Sequence, residues 1–294
     1  MPTTFPSYAL ITPARNESKF IEGTIKSMVA QTLKPVKWVI VSDGSTDGTD
    51  DIVECYAENH PWMELVRLPE ERDRNFAAKV SCFNAGFNRL DPSHYDIVGN
   101  LDADLSFDPD YFEYLISKFT ENELLGVGGT PFVEGDDKGY DYRFTNIEHV
   151  SGACQMFRKA CFEEIGGYIP IKIGGIDWVA VTTARMKGWQ TRTFTDKVLN
   201  HHRPMGTGNG TLRQALFKLG RQDYFLGGHP FWQLLRSTYQ MAKKPYLLGG
   251  TMLFWGYFWS MLKREKKPVP KALIDFQQRE QMKRLKKLIF RTSL

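Results

Sequence analysis

From Tyr8 to Leu101 the chain alternates short apolar runs with amphipathic stretches, a rhythm that few folds can accommodate. Tyr8-Ala9-Leu10-Ile11-Thr12, Val36 to Ser42, Trp62 to Leu68 and Tyr95 to Leu101 have the character of buried strands. Between them, Lys19 to Gln31, the segment reaching Glu58 and Ala77 to Arg89 are helical in period, with Phe20, Ile21, Ile25, Met28 and Val29 sharing one face. Pro13 to Glu17 reads as the turn after the first strand, and Asp43 to Thr49 as a cap-rich turn before the second helix. Strands alternating with helices imply a mostly parallel sheet covered by helices on both faces. Ligands of such sheets bind beyond the carboxyl ends of the strands.

The pattern continues with a helix over Pro109 to Thr120, a strand over Leu124 to Val133 and a polar loop over Glu134 to Tyr142. Ser151 to Phe157 reads as a strand, Gly166-Gly167-Tyr168 as a turn, Trp178 to Lys187 as a helix and Gln190 to Leu199 as the last strand. At 294 residues and 42% hydrophobic, the chain can bury a real core. Cys55, Cys82, Cys154 and Cys161 lack metal-site spacing and sit among apolar neighbours, which predicts reduced packing residues.

Carboxylates gather at the predicted strand ends. Asp102 and Asp104 follow the run Ile97 to Leu101, and on an extended chain residues two apart lie on one side, where two anions repel unless a cation sits between them. Magnesium and manganese accept such oxygen ligands together with substrate phosphates. Asp43, Ser45, Asp47, Gly48 and Glu54 nearly fit a calcium loop, but a strand precedes them and Asp50 occupies a place usually apolar, so calcium is not expected. Asp177 stands at a helix entry, where the dipole favours its ionised form; it reads as a proton acceptor or as an ordinary N-cap. His201 and His202 read as structural residues, or one of them as a metal ligand.

Taken together these residues resemble family 2 glycosyltransferases of the GT-A fold, over roughly residues 7 to 205. The resemblance rests on Thr12-Pro13-Ala14-Arg15-Asn16-Glu17, Val41-Ser42-Asp43-Gly44-Ser45-Thr46-Asp47, Asp102-Ala103-Asp104, Gly152-Ala153 with Gly166-Gly167-Tyr168, and Ile176-Asp177, in that order. It implies that Pro13, Ala14, Arg15 and Glu17, with Asp43, hold the base and ribose of a nucleotide-sugar donor of UDP, GDP or dTDP type. Lys79 would contact the donor, Asp102 its ribose or metal side, and Asp104 a manganese or magnesium ion joined by His201 or His202. Asp177 would be the general base of an inverting transfer to a hydroxyl. Ile176 replaces the Glu that commonly precedes this Asp, which removes an expected acceptor contact. Two other classes share some of these features: a nucleotidyltransferase making the sugar nucleotide, which would need a Gly-rich turn after the first strand, and a non-catalytic scaffold binding nucleotide sugars at a membrane.

Charge divides the chain. From Gly206 onward seventeen basic residues face four acidic ones, a surplus of thirteen, and since the whole carries +4 the first 205 residues stand at −9. This predicts a catalytic domain over 1–205 and a basic, membrane-associating helical region over 206–294. Thr211 to Gln222 and Pro230 to Lys244 have the look of amphipathic helices. Pro245 to Leu262 carries no charge, and as a helix would reach about 27 Å, short of the roughly 30 Å of a bilayer core. Basic residues on both its flanks predict a segment lying in the membrane interface, with ordinary packing on the catalytic domain as the plain alternative. The acceptor expected of such a protein is lipid-linked or a surface polysaccharide, at the cytoplasmic face of the inner or plasma membrane. No secretory pattern opens the sequence, and no nucleic-acid-binding motif accompanies the basic charge.

Overall fold

The computed structural model describes residues 5–69, 76–135, 146–203 and 211–290. The chain divides into two compact units: Met1–Lys172 with Ile176–Pro204, and Ile173–Gly175 with Met205–Leu294. In the first, the alternating rhythm yields β1 (Tyr8–Ala14), α1 (Ile21–Val29), β2 (Lys37–Asp43), α2 (Thr49–Ala57), β3 (Met63–Leu68), α3 (Phe76–Phe87) and β4 (Ile97–Leu101). After these come β5 (Leu105–Ser106), α4 (Tyr111–Glu121), β6 (Leu125–Gly129), β7 (Phe132–Val133), β8 (Cys154–Arg158), α5 (Lys159–Ile165), α6 (Ile176–Met186), β9 (Gln190–Thr193) and β10 (Leu199–His201). Seven strands form one sheet in the order β3-β2-β1-β4-β8-β6-β9. All neighbours run parallel except β8, which is antiparallel to both β4 and β6.

The register fixes where the site lies. Ile11 of β1 pairs with Val39 of β2 on one side and Asn100 of β4 on the other, so the carboxyl ends of all three strands open at the same rim. Below that rim Tyr8, Leu10, Trp38, Ile40, Tyr111 and Phe112 are buried, with Tyr8 stacked on Phe112 at 5.1 Å between centroids. The Trp38 indole N–H donates to Thr12 Oγ1 at 2.8 Å, so the one polar atom of this large buried ring is satisfied.

Several elements differ from the sequence reading. Pro13 and Ala14 continue β1 instead of starting a turn, paired with Val41 and Ser42. The pairing of β1 with β4 stops at Ile11, so the missing N–H of Pro13 disturbs no ladder on that side. The single strand expected over Leu124 to Val133 is cut after Gly129, next to Pro131, which cannot donate to a ladder. The last strand is likewise two, and β10 joins β5 and β7 in a separate three-stranded sheet. Helix α5, seven residues long and closed by Gly166 at φ 75°, was not anticipated because two turns carry too little period to read. Residues 136–142 of the predicted polar loop lie outside the described residues.

The second unit holds α7 (Leu212–Phe225), α8 (Pro230–Met241), α9 (Leu248–Leu262) and α10 (Lys271–Phe290). Thr211 caps α7 in a reciprocal capping box with Gln214, and His229 caps α8 ahead of Pro230. Helix α9 meets both neighbours through glycine: a Cβ on Gly256 would stand 2.0 Å from the Phe217 carbonyl oxygen of α7, and one on Gly250 2.2 Å from that of Ser237 on α8. Arg221 grips Glu265 with two bonds of 3.0 and 3.1 Å, and Arg236 pairs with Asp223, whose carboxyl is pushed up by burial against the pull of that guanidinium. No described helix is long and apolar enough to cross a membrane.

Candidate functional site

Two loops at the rim are laced together. The backbone N–H groups of Asn16, Glu17 and Ser18 donate to Ser45 Oγ, Thr49 Oγ1 and Asp47 Oδ2 at 3.1, 2.8 and 3.0 Å, and Thr46 N–H returns a bond to Asn16 Oδ1 at 2.9 Å. This seam holds Arg15 against Asp43, the last residue of β2, at 3.4 Å. The other carboxylate oxygen of Asp43 is buried without a hydrogen-bond partner among the described residues. A buried acceptor left open is costly unless something from outside fills it. Pro13 and Ala14 bring the end of β1 alongside.

Asp102 and Asp104 lie in a turn just past β4, not on the extended chain expected of them. The turn is pinned from beneath: Thr24 Oγ1 stands 2.8 Å from the carbonyl oxygens of both Ala103 and Leu105, which share its one O–H, and accepts from Leu105 N–H at 3.0 Å. The same-side spacing of two residues applies instead to Asn100 and Asp102, whose side chains meet at 3.1 Å. Lys79 Nζ donates to Asp102 Oδ1 at 2.6 Å. Burial alone would lower the Lys79 ammonium, but Asp102 first, then Asp177 and Asp104, hold it above its ordinary range.

Asp177 is reached through the backbone. Asn100 Nδ2 also donates to the Gly152 carbonyl at 2.7 Å, and Gly152 N–H donates to Asp177 Oδ2 at 3.1 Å. A Cβ on Gly152 would lie 3.0 Å from that of Asp177, so the glycine lets the loop approach this side chain. Lys79, Asp102, Asn100, Gly152 and Asp177 thus form one unbroken chain of hydrogen bonds. Asp177 sits in the first turn of α6, as the second residue of the helix.

On the other side of Asp104 stands β10. His201 Nε2 lies 3.5 Å from Asp104 Oδ1, with its Nδ1 3.2 Å from Glu134 Oε1. The His202 ring turns away to Ser106 Oγ at 2.8 Å, while its backbone N–H holds the Asp104 carbonyl at 2.9 Å. Arg203 bonds Glu17 and approaches Asp104 Oδ2 at 3.7 Å, its guanidinium over the Phe20 ring at 5.4 Å. Burial first, then Asp102, pushes the Asp104 carboxyl up; His201, Arg203 and Lys79 pull it down without prevailing. Among the described residues no group of three or more His, Cys, Asp or Glu side chains is arranged to hold an ion unaided. A buried carboxylate facing an imidazole and crowded by a second carboxylate is nevertheless a donor set that a hard divalent cation would relieve.

Asp102, Asp177 and Lys79 are linked by this chain of hydrogen bonds, Arg203 bridges Asp104 to Glu17, and Arg15 pairs with Asp43 across the laced loops. Sequence reasoning missed Asn100, Arg203, Glu134 and the anchor Thr24. Only Asn100 left a signal, being two residues before Asp102 on a strand.

This architecture is shared with solved glycosyltransferases of the GT-A fold. The mannosyltransferase PcManGT from Pyrobaculum calidifontis, solved with GDP-Man and Mn2+, matches 99% of this chain and 89% of its own with a TM-score of 0.60 at 17% identity. TarS 1-349 of Staphylococcus aureus, solved with UDP-GlcNAc, matches 96% and 81% with a TM-score of 0.57 at 13% identity. The family profile described as Glycosyl transferase family 2 covers residues 9–176, and the chain belongs to that family. Among curated relatives, the poly-beta-1,6-N-acetyl-D-glucosamine synthase of Staphylococcus aureus (strain COL) is 33% identical over 170 residues, 51% of this chain and 39% of its own length. That of Staphylococcus epidermidis (strain ATCC 35984) is 26% identical over the same shares, so the match spans well under half of these relatives.

Proposed function

We propose that the protein is an inverting glycosyltransferase that moves a sugar from a nucleotide-sugar donor to an acceptor hydroxyl. The observation that carries this reading is the hydrogen-bonded chain from Lys79 through Asp102, Asn100 and Gly152 to Asp177, which ties a donor-side carboxylate to a candidate base. Asp43, Arg15 and Glu17, with the end of β1 at Pro13 and Ala14, hold the base and ribose; the open oxygen of Asp43 suits the imide N–H of uracil, thymine or guanine. That matches the UDP, GDP and dTDP donor types expected from the sequence, and solved relatives in fold carry UDP-GlcNAc or GDP-Man.

Asp104 and His201 would hold a divalent ion, Mn2+ or Mg2+, beside Asp102, and His202 supports the turn through Ser106 and the Asp104 carbonyl. Such an ion supplies charge neutralisation for the departing nucleoside diphosphate. Asp177, its Oδ2 oriented by Gly152 N–H, takes the proton of the acceptor hydroxyl as that oxygen attacks the anomeric carbon. The new C–O bond forms on the face opposite the breaking bond to the diphosphate, which inverts the configuration. Lys79 keeps Asp102 from repelling the diphosphate and adds positive charge next to it.

The acceptor we infer is a lipid-linked saccharide or an envelope polysaccharide, met at the cytoplasmic face of the plasma membrane. The basic C-terminal helices and the polysaccharide synthases among the relatives support this. The test is to incubate purified protein and Mn2+ with UDP-GlcNAc, GDP-Man and a dTDP-sugar, and to follow nucleoside diphosphate release with and without EDTA. Release from one donor, stopped by EDTA and restored by Mn2+ or Mg2+, is expected. Absence of release from every donor, together with no thermal shift by UDP, GDP or dTDP, would overturn the reading.

A further inference from the structure

Helix α9 is apolar on the side that faces water as well as on the side that is buried. Its inward face seats Gly249, Gly250, Gly256 and Ser260 against the fold and also buries Leu253 and Tyr257. Its outward face carries Trp255, Trp259 and Leu262, which are 49%, 44% and 71% exposed. Steps of four and three residues put these on one side of the helix, one above another. Tyr246 and Leu247, just before the helix, extend the apolar surface at 63% and 69% exposure. An ordinary surface helix carries charged and polar groups on its outward side. Here fifteen consecutive residues carry no charge at all.

What lies at the two ends identifies the partner. Lys243 and Lys244 precede the segment and Lys263 and Arg264 follow it, all exposed. Lys263 Nζ stands 4.6 Å from the centroid of the Trp259 ring, so cation and aromatic edge the same patch. The nearby acid, Glu265, is neutralised by Arg221, which leaves the margin of the patch positive. Exposed tryptophan bordered by Lys and Arg is the surface chemistry of the zone between acyl chains and anionic headgroups. Fifteen residues make a helix of about 22 Å, too short for a hydrocarbon core of about 30 Å, and both ends carry cations that must stay among headgroups. The axis therefore lies in the plane of the bilayer.

The geometry points to the outward face of α9, centred on Trp255, Trp259 and Leu262, as a monotopic docking surface that sinks side-on into an anionic lipid bilayer. The inference rests on the reading that the C-terminal unit works at a membrane, and deepens it by naming the face, the orientation and the lipid charge. The glycine face serves a second end, because close seating on α7 and α8 keeps the helix from being pulled out of the fold when its other face enters lipid.

The test uses full-length protein and sedimentation with vesicles of phosphatidylcholine alone and of phosphatidylcholine with phosphatidylglycerol at about 2:1. Binding to the mixed vesicles is expected, with quenching of tryptophan fluorescence by lipids brominated near the headgroup end of the chain. The double variant Trp255→Ser/Trp259→Ser should bind at least about tenfold more weakly. The variant Lys243→Gln/Lys244→Gln/Lys263→Gln/Arg264→Gln should lose the preference for anionic vesicles. Leu124→Ser, an exposed apolar position on the other unit, should bind like the parent and controls for general stickiness. Circular dichroism and melting temperature verify that each variant is folded. No vesicle binding by the parent, or equal binding by the tryptophan double variant, overturns the inference; so does a parent dimer in light scattering that the double variant abolishes, since a second copy would then be the occupant. Thermal shift by nucleoside diphosphate with Mn2+, run on the same preparations, separates the two readings: a shift that persists while vesicle binding fails removes the docking face alone.

Discussion

The two units solve the placement of large side chains in opposite ways. In the first, Trp38, Tyr8, Tyr111 and Phe112 are wholly inside, and the charged groups crowd one rim where parallel strands end. In the second, α9 puts glycine inside and tryptophan outside. The first arrangement hides apolar area from water and leaves the chemistry at the edge; the second keeps its apolar area available. The second unit has buried groups as well, Leu253, Tyr257 and Leu273 among them, so the contrast lies in what α9 leaves exposed.

The largest expected effect lies at the rim. Asp177→Asn keeps the size and the bond from Gly152 but cannot take a proton, and should cut the transfer rate by about 10²- to 10⁴-fold while donor affinity is kept. Near-parental turnover in a kcat measurement would move the base elsewhere. Next comes the comparison itself, posed with one substitution in two places. Trp38→Ala should cost about 3–5 kcal/mol in denaturant unfolding, whereas Trp259→Ala should stay within about 1 kcal/mol, the loss of a cation–π contact and little else. Equal costs would mean that the outward ring is a core residue after all. Gly152→Ala should lower kcat by roughly tenfold with KM for donor little changed, because its methyl presses on the Asp177 side chain and a small misplacement of a base is expensive. A change in KM alone would detach the glycine from the base.

The smallest effect concerns Asp47. Burial would raise its carboxyl, but bonds from Thr49 and Ser18 outweigh that and hold it well below the ordinary range. A carboxylate with a depressed folded pKa stabilises fully above its unfolded pKa and loses that contribution as pH falls through the folded value. Asp47→Asn should therefore melt about 2–4 °C below the parent at neutral pH, with the gap closing in acid. A gap that held constant with pH would assign the effect to shape and not to charge.

The parallel sheet was legible because β1, β2, β3 and β4 are apolar runs of the length strands need, separated by helices whose period is plain. The short elements were not. Helix α5 has two turns, and β5, β7 and β10 pair across long separations that no local pattern announces. For the site, Asp43, Asp102 and Asp104 stood out as acids at the ends of apolar runs, and Asp177 as an acid at a helix entry. Arg203 did not, since its meaning comes from Glu17, 186 positions away. Asn100 illustrates the middle case: the two-residue period that misjudged Asp102 and Asp104 describes Asn100 and Asp102 correctly, because the chain is still a strand at the first pair and has turned by the second. In the C-terminal region, the uncharged segment was visible, but which side of α9 faced out depended on glycine contacts that only the packed helices reveal.

The claim beneath all of this is that one rim holds the nucleoside diphosphate, with Asp43 at the base and Asp104 and His201 at the phosphates. Isothermal titration calorimetry of UDP, GDP and dTDP with Mn2+ onto the parent, Asp43→Asn, Asp104→Asn, His201→Ala and Asp177→Asn tests it most directly. The account predicts that the nucleotide the parent prefers binds at least about tenfold more weakly to the first three variants and unchanged to Asp177→Asn. Parental affinity in both Asp104→Asn and His201→Ala would contradict it.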